Sequence, residues 1–503
     1  MLRMTLRTMW PAVVVGIFVG LSVTLSESAD APDVKQVAPA GARGGAKSIV
    51  NLRNPVKRPD LRLLAKSALS GDPATAAHAV NTLRAHGPKA LDVLFAMRDR
   101  VMPRHNGPVM RGPLHSLDKR IARSTGIGVP GILGLGDVSG SLKDRIQQQQ
   151  RIDAVIDQVG GQRYCSVSRL YWYTDIKQAR KFARATGKPI LSLRLLGKLT
   201  DELSCANSRF FRTTLYANQQ IATYLRTHFV LHWKSVRPVP VVTIDFGDGR
   251  QLKRTLTGNS IHYVLAADGA PIDALPGLYA PATFLENLQR AEQVARRAST
   301  MAGDERKALL NTYHAGRLES IAAAWQQDRD RVQSGQKPAA NPVAGRQERR
   351  TAIRVTAEKL RVLDAATDDA DWKKIAALHH GATQLDAATI SVMRRENPPT
   401  AAAAMRVAVT KSVVEDPILR MVRRFRSDLA LDTVRNEYLL HSRLHQWFVE
   451  GKLTTDVEEL NRQVYARVFL TPSSDPWIGL VKPSEYTALV KSGVISRTPP
   501  RMR

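Results

Sequence analysis

Short, strongly apolar runs that read as strands are concentrated in one stretch of this chain, and they limit the folds it can adopt. Pro189–Leu196 (PILSLRLL), Phe229–Trp233 (FVLHW), Ile261–Leu265 (IHYVL) and Ile272–Leu275 all fall between residues 161 and 300. Runs of this length and composition suit strands buried on both faces. Helical signals separate them. Asp175 to Thr186 is amphipathic and ends at Gly187, Ser208 to Thr227 keeps a helical period, and Pro281 to Arg297 reads as a closing helix. Asp268-Gly269-Ala270-Pro271 supplies a hairpin turn between the last two strands. The order β-α-β, then β-β-α, predicts a small α/β domain with a mixed sheet and helices on both faces.

The flanking regions are helical in pattern, so the expected fold is a multidomain α+β chain with this sandwich at its centre. Arg3 and Arg7, the apolar run Trp10 to Leu25 and the small residues Ser26 and Ser28 make 1–28 a signal peptide. That run is shorter than the roughly 20 residues a bilayer span needs, so cleavage near Ser28 is the expectation and an uncleaved anchor the alternative. In either case the rest of the chain is exported, to the periplasm or cell envelope. Residues 29–58, rich in Ala, Pro and Gly, form a flexible tether. Residues 59–123 carry a helical hairpin, with Asp72-Pro73 as cap and first turn and Gly87-Pro88 as the break. A Gly-rich loop and linker helix follow over 124–160. After the central domain come a helical extension (301–333), a linker (334–346), a helical domain (347–470) and an irregular tail (471–503).

Charge narrows the function classes less than its size suggests. The chain has 74 Lys+Arg against 45 Asp+Glu, a formal net charge of +29. The excess is spread evenly, +9 over 29–160, +11 over 161–300 and +8 over 301–503. Diffuse positive charge attracts polyanions without reading sequence, and no base-reading element accompanies it. Nonspecific polyanion contact is therefore expected, sequence-specific nucleic-acid binding is not. Two cysteines in 503 residues cannot build a disulfide framework or a Cys-rich zinc module.

The central 140 residues or so resemble the thioredoxin superfamily. Gly187-Lys188-Pro189-Ile190 leads into an apolar strand, and a loop then reaches Ser204-Cys205-Ala206-Asn207-Ser208 at a helix start, where the family carries its C-x-x-C. The later strand, the Asp268-Gly269 turn, Gly277 and the last helix fall in family order. The resemblance implies a thioredoxin-like α/β sandwich, with Cys205 as the attacking thiol and Ser208 in the place of the resolving one. It also implies a client groove around Asn207, Arg209 and Ser260, with Ser260 standing where the family has a cis-proline. A C-x-x-S site can attack a disulfide but cannot release the mixed disulfide with its own second thiol. Full dithiol oxidoreductase turnover is not expected.

Residue-level chemistry leaves alternatives open at Cys205. A helix N-terminus stabilises a thiolate, which would make Cys205 reactive. A lone cysteine is also commonly a small buried residue, or it could bridge to Cys165. Glu437, His441 and His445 fall at four-residue spacing on one helix and are weak metal candidates. The competing reading is a polar helix face on which Glu437 pairs with a histidine. The G-x-G-x-x-G at Gly126, Gly128 and Gly131 lacks the strand before it that a dinucleotide site needs, so Ser124–Ser141 reads as a loop. Trp233 to Pro238 places two bases beside an aromatic, suited to an anion or simply a strand end. No cofactor is expected. The expected role is binding of envelope or secreted client proteins, with mixed-disulfide contact through Cys205 as an option. The alternatives are a redox-inactive interaction module and a basic polyanion-binding envelope protein.

Overall fold

The computed structural model describes residues 60–101, 135–334, 349–396, 417–451, 456–478 and 488–490. The signal peptide, the tether, the G-x-G-x-x-G, the linker from residue 335 and Asn397-Pro398-Pro399 lie outside the described residues. Among the described residues, no helix is long and apolar enough to cross a membrane. The architecture is α+β, mostly helical with a small mixed sheet.

Three helices come first: α1 (Leu61–Ser67), α2 (Pro73–Ala85) and α3 (Lys89–Val101). Asp72 caps α2 through the Thr75 N–H, with Pro73 in the first turn, and the chain breaks at Gly87-Pro88. Next comes α4 (Leu135–Gly160), followed by the short α5 (Cys165–Ser168). The helix α4 opens inside the stretch whose glycines predict a loop, so Leu135–Ser141 is helical. Its later turns bury Ile152, Val155, Ile156 and Val159, and packing of that face outweighs the low propensity of Gly136 and Gly140.

The sheet has strands β1 (Trp172–Tyr173), β2 (Ile190–Leu196) and β3 (Val230–Arg237), and then, after a separate hairpin of β4 (Val241–Asp245) and β5 (Gln251–Thr255), β6 (Ser260–Leu265) and β7 (Pro271–Pro276). Its order is β1-β3-β2-β6-β7. Strands β1, β3 and β2 run parallel, with Leu193 opposite Trp233, while β6 and β7 are antiparallel to their neighbours, with Leu195 opposite Ser260 and Val264 opposite Asp273. Every residue of β2 and β6 is buried, the consequence of helices covering the sheet. Gly269 turns the β6–β7 hairpin at φ +93°, a conformation that a Cβ would strain.

Helix α6 (Ile176–Thr186) joins β1 to β2. The single helix predicted over Ser208–Thr227 is instead three pieces: α7 (Ala206–Phe210), a π turn (Phe211–Leu215) and α8 (Gln219–His228). Asn218 explains the break, because its side chain caps α8 by accepting the Ile221 N–H at 3.1 Å. Helix α9 (Pro281–Ala298) packs back on β6 and β7. The C-terminal helices are α10 (Gly303–Ser334), α11 (Arg349–Ala366), α12 (Asp369–Leu378), α13 (Ala387–Glu396) and α14 (Pro417–Arg435). A π turn (Asn436–His441) then continues into α15 (Ser442–Val449), and α16 (Val457–Arg467) follows.

One apolar core runs through Leu83, Phe95, Ile156, Leu193, Val264, Leu288, Leu460 and Val464, so the regions 59–123, 161–300 and 347–470 all contribute to it. A second core joins Trp325 of α10 to Trp372 and Tyr438. The hairpin β4–β5 belongs to a compact unit of its own.

Asp157 near the end of α4 accepts the N–H groups of Tyr164 at 3.0 Å and Cys165 at 2.8 Å. Burial raises its pKa to about 6 against the pull of those bonds. The sign is the reverse of an ordinary carboxylate: between pH 4 and 6 the folded chain holds a proton that the unfolded chain has released, so this position adds stability as pH falls through 6. Asp157→Asn removes the titration. The stability difference between wild type and variant, followed by urea unfolding, is expected to grow in favour of wild type by about 2 kcal/mol from pH 7 to pH 4. A difference independent of pH would refute this account.

Candidate functional site

Cys205 is the first residue the sequence singles out, and its surroundings are built from the end of β2 onward. The Cys205 N–H returns to the Leu196 carbonyl at 3.3 Å, closing the loop 197–204. Cys205 then caps α7, its Sγ accepting the Ser208 N–H at 3.4 Å. Ser208 donates its hydroxyl to the Cys205 carbonyl at 3.0 Å and also bonds Ser204. Arg212, from the π turn, holds the loop: its guanidinium donates to the carbonyls of Leu199, Asp201 and Glu202 and to Ser204 Oγ. Burial lowers the Arg212 pKa to about 10. Arg209 is half-buried and reaches the Ser204 carbonyl at 3.4 Å.

Access to the sulfur decides what this arrangement can do. Cys205, Ser208 and Ser260 are each 0% exposed, and Asn207 is buried beside them in the chain. Ser260 opens β6, and its Oγ has no hydrogen-bond partner among the described residues. Helix α16 comes close to this end of β6. Tyr465 donates its hydroxyl to the carbonyl of Asn259, the residue before Ser260, at 3.0 Å. Burial pushes the Tyr465 hydroxyl well above its usual range, and the neighbouring Cys205 sulfur adds to the effect. Asn259 in turn donates to Thr471 at 3.1 Å, and Tyr263 bonds Asn461. Cys165 is a second buried free thiol; it donates to the Leu170 carbonyl at 3.3 Å, and burial raises its pKa well above the ordinary value. No disulfide joins the two cysteines.

The same helix is pinned by charge. Arg194, fully buried in β2, pairs with Glu458 at 2.9 Å, and Lys234 reaches the other oxygen of that carboxylate at 3.1 Å. Arg237 donates to the carbonyls of Asp475 and Thr471. The bases that could have met an anion at Trp233–Pro238 are thus spent on the chain itself. His232, beside Arg194, has its pKa lowered to about 3 by burial and by that cation.

A second constellation lies where β7, α9, α10 and the π turn meet. Glu437 accepts from His441 Nδ1 at 2.9 Å, as the four-residue spacing suggests, but the helix face is buried and not solvated. His441 Nε2 stands 3.3 Å from Asp273 Oδ1. Asp273 also accepts the Tyr313 hydroxyl at 2.5 Å and the Ala274 N–H at 2.8 Å. Arg317 and Asn287 complete the shell of Glu437, at 2.6 and 3.0 Å. His445 pairs through Nδ1 with His314 Nδ1 at 2.8 Å. Two neutral imidazoles in opposite tautomers satisfy that bond.

Burial sets the charge states apart. Against its own desolvation, His441 is raised to about 9 by the carboxylates of Glu437 and Asp273. Glu437 is held down to about 2, and Asp273 well below the carboxylate range, although burial opposes both. Burial takes His314 down to about 4 and His445 well below the usual value. Two anions, Asp273 and Glu437, therefore balance two cations, His441 and Arg317. Sequence reading found Glu437, His441 and His445 by their spacing and missed Asp273, His314, Arg317, Asn287 and Tyr313. Asp273, His314, Arg317 and Asn287 lie 120 or more positions from their partners at 437–445, and Tyr313 lies 40 from Asp273, where no local pattern reaches.

Compared with known protein families, curated proteins and solved structures, the chain matches none.

The Arg194–Glu458 pair is asymmetric, with the acid 40% exposed and the base 1%. Glu458→Ala leaves a buried guanidinium without its acid and is expected to cost about 1–2 kcal/mol, below the usual buried-pair loss because of that exposure. Arg194→Met removes the buried charge and fills similar volume, so it is expected to stay within about 1 kcal/mol of wild type. Urea midpoints of the two variants test this; equal losses would show that the pair does not hold α16.

Proposed function

We propose that this protein is an exported, thioredoxin-like scaffold that binds client proteins of the cell envelope without thiol–disulfide exchange at its central domain. The strand order β1-β3-β2-β6-β7, its senses, and a helix capped by Cys205 at the end of the loop that leaves β2 support the thioredoxin-like reading. Export rests on the n-region and apolar run of residues 1–28.

The observation that carries the redox-silent part is the burial of the Cys205 sulfur. Exchange needs a thiolate that reaches the sulfur of a client, and here the sulfur is 0% exposed and caps a helix. Position 208 holds a serine, and Cys165 is bound within its own turn. What remains for function is surface. The helices flanking the sheet supply it, and client contact is assigned to them.

A second reading has one specific observation in its favour. Lys177, Arg180, Lys181 and Arg184 lie along one face of α6 and line a shallow surface depression. That stripe can meet a polyanion. Binding to polyphosphate is expected to weaken steeply with salt and to drop in a Lys177→Gln/Lys181→Gln variant; flat salt dependence would remove this reading.

Thiol labelling of the purified chain tests the first. No label is expected on either cysteine in native buffer from pH 6 to 9, and both are expected to label in denaturant. Rapid native labelling of Cys205, rising with pH, would return the site to thiol chemistry. Cys205→Ser, which keeps a capping group, is expected to leave client capture unchanged.

A further inference from the structure

We propose that Asp273, His441 and His445 bind a divalent transition-metal ion, with zinc the best fit. Each offers one ligand atom, the three atoms lie within 4.8 Å of one another, and all three side chains are buried. Two imidazoles and one carboxylate form a donor set for zinc and its first-row neighbours; calcium and magnesium prefer oxygen alone.

The supporting shell is already in place. Glu437 holds His441 by Nδ1 at 2.9 Å and leaves Nε2 directed at Asp273 Oδ1. His314 holds His445 by Nδ1 at 2.8 Å, and His445 Nε2, fully buried, has no hydrogen-bond partner among the described residues. Tyr313 orients Asp273 through its other oxygen. A carboxylate or other acceptor behind each ligating imidazole is what fixes tautomer and ring direction at metal sites. The separation of Asp273 Oδ1 and His441 Nε2, 3.3 Å, is long for a charged hydrogen bond. It suits two ligands about 2.0 Å from one zinc at a tetrahedral angle, which stand about 3.3 Å apart. Tyr279 packs edge-on to His441, its ring 6.3 Å away, and its buried hydroxyl also lacks a partner among the described residues. An ion here would displace the Nε2 proton of the His441 cation and tie β7 to the π turn and α15, a structural cross-link between the sheet and the C-terminal helices.

The test uses the tag-free full chain, stripped with a chelator and dialysed against Zn²⁺. About one ion per chain is expected by elemental analysis, and Co²⁺ in its place is expected to give the visible absorption of a tetrahedral site. His445→Gln is expected to weaken Zn²⁺ binding by at least about 100-fold and Glu437→Gln by about 10–100-fold. His379→Gln, on another helix end, is expected to leave it unchanged. If His445→Gln does not fold, wild type decides: chelation should lower the thermal midpoint and Zn²⁺, not Mg²⁺, should restore it. Less than about one-tenth of an ion per folded chain, or full binding in a folded His445→Gln variant, overturns the proposal.

Discussion

Desolvation of the Asp273–Glu437–Arg317–His441 quartet is the constraint around which the two halves of this chain are arranged. Removing any one of these groups leaves an uncompensated charge in a medium that screens poorly, a loss of several kcal/mol for a buried pair. The members come from β7, α10 and the π turn, so each element is tolerable in its place only while the others are in theirs. Apolar packing alone would allow the C-terminal helices to slide or rotate on the sheet. A set of hydrogen bonds with fixed donors and acceptors does not, because a small displacement strands a charge.

The π turn is part of the same arrangement. Asn436–His441 inserts a wider turn between α14 and α15, and it is this segment that carries Glu437 and His441. Such bulges often occur where side chains must be re-aimed. Here Asn436 donates to the Leu278 carbonyl at 2.7 Å while the turn presents its histidine to Asp273. Further along, α16 returns to the opposite end of β6, where Tyr465 meets Asn259. The C-terminal half therefore holds the central sheet at both ends of its antiparallel pair.

How much of this was legible in the sequence follows the range of the interactions. Strands β2, β3, β6 and β7 were readable from apolar runs, and the cap Asp72 from local chemistry. Strand β1 was not, since two residues carry no period. Asn218 interrupts a helical pattern that Ile221, Ala222 and Leu225 sustain on their own, so the break was hidden by its neighbours. The pairing of Glu437 with His441 lies within one turn and was visible. Asp273 looked like an interior residue of a short strand, and nothing near it in sequence names a partner 168 positions away. The burial of Cys205 had the same cause: its apolar core also takes in Val457, Leu460 and Tyr465, about 250 positions on, and no local pattern around Cys205 carries that information.

The positive charge is also re-sorted by the structure. Arg194, Arg212 and Arg317 are among the bases that give the chain its +29, yet each is turned inward. Arg194 meets Glu458, Arg212 holds a loop of carbonyls, and Arg317 neutralises Glu437. Arginine suits such places because its guanidinium stays ionised and offers several donors in one plane. Interior arginines of this kind add to the formal charge without adding to the field a polyanion would meet at close range. The functional part of the excess is then the part left outside, and the four bases on one face of α6 illustrate it better than the total does. A count of charged residues overstates electrostatic function in a chain that uses its arginines as structural donors.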